Sequence, residues 1–288
     1  MVAWRNIEKA TLEPANLTAA HDVLSGLRDR VAGMESAPPP DGRTAGGPAG
    51  ANMLSTGVAE IDRALPWSGL PPAGLHEIAG WQETSFALAL IAGLLARDGE
   101  TRPVIWCQAE EGARERGQLY GPGLAARGLD PSRLIFVTTR RDREALWAME
   151  EALASGAAAG AVGEIPTLGM TESRRLQLAA AKGGAMGLIL RGPIGDRAAN
   201  AALSRWRAEP AETAHLGMGG PAKWAAQAFP ESHSRPPGQP GQPPASGFSL
   251  SLWRARGGQP GNWMVEQDAE TLHLALAAPL ADRQAAAG

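Results

Sequence analysis

Hydrophobic positions fall into three textures along the chain. Over Leu17 to Met34 the apolar residues are Leu17, Val23, Leu24, Leu27, Val31 and Met34, with Asp22, Arg28, Asp29 and Arg30 between them. That spacing predicts a short amphipathic helix within residues 1–35. The stretch Ser36 to Asn52 is rich in proline and glycine and offers nothing to bury, so it reads as a flexible linker.

From Met53 short apolar strands alternate with helices rich in Ala and Leu. Leu75 to Ala79, Pro103 to Gln108, Leu134 to Thr138, Ala159 to Ile165 and Met186 to Leu190 read as strands. Ser85 to Arg97, the early part of Glu111 to Gly128, Arg141 to Ser155 and Glu172 to Lys182 read as helices; Ala201 to Ala208 fits a strand or a helix end. Such alternation predicts a parallel sheet covered on both faces, and the right-handed crossover rule makes it doubly wound. This core spans 53–220. A Pro/Gly-rich linker follows over 221–246, then a β extension over 247–278 and a disordered tail over 279–288. In the extension, Phe248 to Arg256 alternates with period two, Gly257-Gly258 turns the chain, and Trp263 to Gln267 and Leu272 to Leu276 continue an antiparallel addition. The fold class expected is α/β.

Composition narrows the function. With 288 residues, 44% of them hydrophobic, the chain supports a substantial core without a disulfide or metal staple. Cys107 is the only cysteine, which excludes an internal disulfide and any multi-thiolate site and fits a reducing, cytoplasmic compartment. The longest apolar stretch, Phe86 to Ala96, falls short of the roughly 20 residues a membrane helix needs, and Met1 to Ala10 shows no signal-peptide pattern. A net charge of -3 argues against a strongly electrostatic nucleic-acid binder. The five histidines are scattered with no ligand spacing, so no metal is expected.

The default ligand position in such a sheet is the loop after its first strand, here Gly80, Trp81, Gln82, Glu83, Thr84 and Ser85. A phosphate loop needs several glycines, a lysine for the β and γ charges and a hydroxyl for magnesium. This loop has one glycine, no lysine, and Glu83 where an anion would sit. A carboxylate at a helix start ordinarily caps it, and Thr84 or Ser85 is the candidate N-cap residue. Cys107 reads as a buried structural thiol, Glu110 and Glu111 as solvated carboxylates, and Arg140, Arg141 and Arg143 as a solvated face. Trp253 and Trp263 fit a core pair across the turn, or a partner surface if exposed.

Ser55 to Leu90, reading STGVAEIDRALPWSGLPPAGLHEIAGWQETSFALAL, resembles the opening of the RecA recombinase core, where a similar stretch leads into the phosphate loop. Val104 to Glu111 resembles the strand carrying the recombinase's catalytic glutamate, with Glu110 at the matching position, and Asn200 to Trp206 resembles the strand after its second DNA-binding loop. The chain is more similar still to the ImuA family, RecA-like accessory proteins of bacterial damage-inducible mutagenesis. Leu119 to Val137 (LYGPGLAARGLDPSRLIFV) and Leu252 to Glu266 (LWRARGGQPGNWMVE) carry that resemblance, which covers roughly residues 53–276. It implies a RecA-like sandwich with an N-terminal helix and a C-terminal β extension. The lost loop lysine and the short segments where recombinases carry DNA-binding loops mean that neither ATP hydrolysis nor filament-type DNA binding transfers.

What the resemblance implies is a non-catalytic accessory protein of SOS-induced mutagenesis and translesion DNA synthesis, with no cofactor and weak or absent direct DNA binding. Its implied partner is an ImuB-type Y-family polymerase homologue, and through it an error-prone DnaE-type polymerase and the sliding clamp, with RecA a further candidate. Leu24, Leu27 and Val31 on the N-terminal helix, with Trp253 and Trp263, are the candidate docking residues. The alternatives left open are a RecA-like ATPase and a regulator of recombinase filaments.

Overall fold

A computed structural model describes residues 53–193, 198–211 and 246–277. The predicted N-terminal helix, with Leu24, Leu27 and Val31, both linkers and the tail lie outside the described residues. The elements run α1 (Ala59–Ala64), β1 (Leu75–Ala79), α2 (Glu83–Leu95), β2 (Val104–Ala109), α3 (Glu110–Arg116), α4 (Gly121–Ala125), β3 (Leu134–Thr139), α5 (Asp142–Ala154), β4 (Gly160–Glu164), α6 (Met170–Gly183), β5 (Met186–Leu190), β6 (Ser204–Pro210), β7 (Ser246–Ala255), β8 (Gly261–Gln267) and β9 (Leu274–Leu276).

They form one nine-stranded sheet of order β3-β2-β4-β5-β1-β6-β7-β8-β9. Strands β1 to β6 pair in parallel, and β7, β8 and β9 add on antiparallel. The α/β class and the mainly parallel core therefore agree with the sequence pattern. Strands β1, β4 and β5 are buried at every position, which is why they read as unbroken apolar or small runs rather than as alternations.

Two cores flank the sheet. On one side α2 sends Phe86, Leu90 and Ile91 onto Trp106, Val162, Leu188, Ile78 and Trp206. Phe86 meets Trp206 edge to face at 5.3 Å. On the other side α5 and α6 cover Leu75, Cys107, Ala161 and Ile189. The stripe Ala145, Met149 and Leu153 recurs every four residues and fixes which face of α5 is buried. Helix α6 presents Leu176 and Ala180 and ends at Gly184 in the left-handed conformation, the common helix stop.

Three local expectations need correction. The early part of Glu111 to Gly128 is helical as expected and ends at Arg116, where Gly117 takes a φ of 82°, but the Tyr120 to Pro122 stretch expected as a turn opens α4, with Pro122 in its first turn. The ambiguous Ala201 to Ala208 stretch resolves as strand, Ser204–Pro210. The tryptophan pair is different from the one expected. In the β6–β7 register Arg205 faces Arg254 while Trp206 faces Leu252, so Trp253 is an extra, bulged residue. Trp263 packs on Trp206 in the core at 6.5 Å, and Trp253 lies under the guanidinium of Arg207 at 5.4 Å.

Candidate functional site

Strands β1, β4, β5 and β6 run parallel, so their carboxyl ends lie side by side, the position at which open α/β sheets bind ligands. The Gly80–Ser85 loop leaves β1 there. Gly80 has a φ of 110°, and a Cβ at that position would run into the carbonyl of Ala208, so only glycine lets β6 approach this closely. The Gly80 N–H donates to the Gly192 carbonyl at 3.0 Å, that of Gln82 to the Ala208 carbonyl at 3.0 Å, and that of Glu83 to the Gly80 carbonyl at 3.3 Å. The Trp81 N–H reaches Glu209 Oε2 at 3.5 Å. A working phosphate loop turns such N–H groups toward the anion. Here they point at the protein's own oxygens.

The helix start also differs from expectation. Neither Thr84 nor Ser85 is the N-cap; Gln82 is, because its carbonyl already accepts the Phe86 N–H at 3.1 Å. Ser85 Oγ instead donates to Gln82 Oε1 at 2.7 Å. Glu83 does not cap through its carboxylate either. Its side chain is 6% exposed and turns inward, where Oε2 accepts the Gly192 N–H at 2.7 Å. Gly192 is thus clasped twice, by the Gly80 N–H on its carbonyl and by the Glu83 carboxyl on its N–H. Burial pushes the Glu83 carboxyl up to about 8, against the opposing pull of the Gly192 N–H and of Arg116, while the charge of Glu164 adds to the rise. The group is therefore mostly protonated at neutral pH.

Glu164, at the end of β4, is the second carboxylate of this place. Its Oε1 accepts Trp106 Nε1–H at 2.8 Å, and its Oε2 accepts Nε and Nη2 of Arg116 at 3.1 and 2.9 Å. Below the loop lies a third, Glu77 in mid β1, 1% exposed. Arg205 donates to its Oε1 from Nε and Nη2 at 3.0 and 2.7 Å, and Arg191 Nη1 and Asn200 Nδ2 donate to its Oε2. Sequence reasoning passed over Glu77 and Glu164. The available signal was a charge inside or ending a strand that is otherwise wholly apolar, which a folded chain keeps only with partners.

Glu110 stands apart from this cluster. It opens α3, is exposed, and pairs with Arg114 one turn on at 3.1 Å. Trp81 is half exposed on the loop. Of the sequence candidates, Gly80 to Ser85 form one loop, Glu110 pairs with Arg114, Trp253 stacks under Arg207, and Trp263 packs on Trp206 behind Phe86. Cys107 is fully buried in β2, its thiol pushed up to about 12 by burial. Among the described residues no group of three His, Cys, Asp or Glu could hold a metal ion, and no helix is long and apolar enough to cross a membrane. The arrangement is a closed carboxylate and arginine lattice that locks four strand ends together; its N–H donors and carboxyls face inward.

No family model matches the sequence. A solved structure of SulA from Pseudomonas aeruginosa overlaps 42% of this chain and 99% of its own at 20% identity and a TM-score of 0.35, too loose a likeness to carry an argument. Two curated relatives, both named Protein ImuA and both from Caulobacter vibrioides, strain NA1000 / CB15N and strain ATCC 19089 / CIP 103742 / CB 15, are each 35% identical over 260 residues. The matched region takes in 82% of this chain and 93% of each relative. An identity of that size over nearly the whole of both proteins means that the chain belongs to the ImuA family.

Proposed function

We propose that this protein is a non-catalytic accessory component of damage-induced mutagenesis and translesion synthesis, a recombinase-like scaffold whose nucleotide loop has become a structural joint. The observation that carries the non-catalytic reading is the double clasp on Gly192: the Gly80, Gln82 and Glu83 N–H groups of the loop are spent on backbone carbonyls, and a buried carboxyl lies beside them. The central position of β1 and the switch in strand order on either side of it support the RecA-like reading. Membership of the ImuA family supports the mutagenesis role. The partner in this reading is an ImuB-type Y-family polymerase homologue, which links the protein to an error-prone DnaE-type polymerase and the sliding clamp.

Two measurements on the purified full chain test it. Titration with a fluorescent ATP analogue and magnesium is expected to give no saturation through the micromolar range, and pull-down is expected to recover the polymerase homologue of the same source. Saturable, magnesium-dependent binding would revive the ATPase alternative. Capture of the recombinase without the polymerase homologue would favour a filament regulator.

A further inference from the structure

The two edges of the nine-stranded sheet are built differently. At one edge β9 is three residues long, and shortness is one way in which an edge is kept from pairing further. At the other, β3 runs six residues, Leu134–Thr139, in residue-by-residue register with β2. It holds no proline, no charged residue and no bulge, the other devices that blunt an edge. Among the described residues β3 pairs with β2 alone, so every second residue turns its N–H and C=O outward. Beyond the Leu134 N–H, which closes a turn onto the Pro131 carbonyl, no hydrogen bond from a described residue covers that row.

The side chains agree with the backbone. Successive strand residues point to opposite faces, so Phe136 lies with Leu134 on the α2 side and Ile135 with Val137 on the side of α5 and α6. Ile135 is 47% and Phe136 41% exposed. Both faces of the sheet therefore stop at an apolar side chain left in water, where a strand that merely ends a sheet carries lysine or another charge.

We propose that β3 accepts an extended segment of a partner protein as a tenth strand, with main-chain hydrogen bonds supplying affinity and the side chains beside Ile135 and Phe136 supplying selectivity. The docking reading of the preceding section is its foundation. The segment is about six residues, or roughly 20 Å, long. It is an unbroken run of β-branched and aromatic residues rather than an alternation, because it borders an apolar residue on each face. Other occupants fit less well. A second copy paired antiparallel over the full strand would set Arg133 level with Arg140 of that copy at both ends of the joint, like charge against like. This chain's own stretches outside the described residues do not read as strands, since 1–35 has helical spacing and 36–52 and 221–246 are rich in proline and glycine. The sugar–phosphate backbone of DNA offers acceptors for the outward N–H groups but no donor for the carbonyls between them.

The test uses the full chain and the purified ImuB-type polymerase homologue of the same source. Amide hydrogen exchange followed residue by residue is expected to show every second amide of β3 exchanging fast in the free chain and slowly in the complex, with the amides between them slow in both. Ile135→Lys and Phe136→Lys, which place on this edge the charge that blunts others, should each weaken binding at least roughly tenfold. Leu178→Lys, on an exposed side chain of α6, should bind as the parent does. Unchanged thermal unfolding of the variants separates loss of pairing from loss of fold. If the homologue binds and neither lysine variant at the edge weakens it, or if β3 gains no alternating protection, the edge assignment is wrong while docking itself stands. A dimer of the parent chain that Phe136→Lys abolishes would give the edge to a second copy and overturn the assignment as well. If the parent chain does not bind the homologue, the docking reading fails and this assignment with it.

Discussion

At the scale of single residues, two buried titratable groups set how stability responds to pH, and they act in opposite directions. Glu83 has its carboxyl raised from 4.5 to about 8 by burial. Between those values the unfolded chain ionises while the folded one keeps its proton, so stability falls as pH rises from about 4.5 to 8 and is fully present below that window. His76, held between Ser204 Oγ at 2.8 Å and the Pro71 carbonyl at 3.0 Å, is lowered from 6.5 to about 4 by burial, so its contribution is present above 6.5 and is lost as pH falls from about 6.5 to 4. The two slopes oppose one another between about 4.5 and 6.5, and stability should peak there. Above 6.5 Glu83 acts alone. Glu83→Gln, which keeps a neutral acceptor for Gly192, should flatten the decline between pH 6.5 and 8 and leave pH 5 unchanged. Urea midpoints at several pH values would show it, and parallel curves for parent and variant would contradict the assignment. Glu77 is the other decisive residue. Removing its charge by Glu77→Gln takes the buried carboxylate away from Arg191 and Arg205, at a cost of roughly 3–5 kcal/mol in urea unfolding. A loss below about 1 kcal/mol would mean that water reaches the two arginines.

At the scale of elements, the joint between α5 and α6 depends on one position. A Cβ at Gly183 would collide with the Leu153 carbonyl, so the C-terminal ends of the two helices touch backbone to side-chain-free backbone. Gly183→Ala should push them apart, lower the thermal midpoint, and cost roughly 1–3 kcal/mol, the range for overpacking a filled site. An unaltered midpoint would show that α6 can tilt without loss. Most elements were legible in the sequence because buried parallel strands and the stripe Ala145, Met149, Leu153 leave strong patterns. Two features escaped the sequence, for different reasons. The turn expected at Tyr120 to Pro122 opens a further helix instead, and the bulge at Trp253 breaks the period-two pattern of Phe248, Leu250 and Leu252, so that Ala255 and not Arg254 is the next buried position. A bulge is written in the pairing of two strands, so one strand's sequence does not display it.

At the scale of the whole molecule, the class and the parallel core followed from the alternation of strands and helices, and the position of the candidate loop followed from the class. The state of that loop did not. Glu83 and Gly192 are 109 positions apart, and no local pattern announces that a glycine from the end of β5 returns to fill the space beside β1. The missing lysine was visible; the inward turn of the carboxyl required the tertiary fold.

The single thiol offers a practical consequence. Cys107 lies in β2, the second strand from the β3 edge of the sheet, and is fully enclosed, with its ionisation suppressed by burial. A thiol reagent can reach it only when the sheet opens, so the wild-type chain carries its own clock for native-state breathing. Labelling should be slow in buffer and accelerate with urea along the global unfolding curve, and the ratio of the two rates reads opening free energy without any introduced probe. Fast labelling in plain buffer would reveal a local door into β2 that the closed packing around it gives no reason to expect.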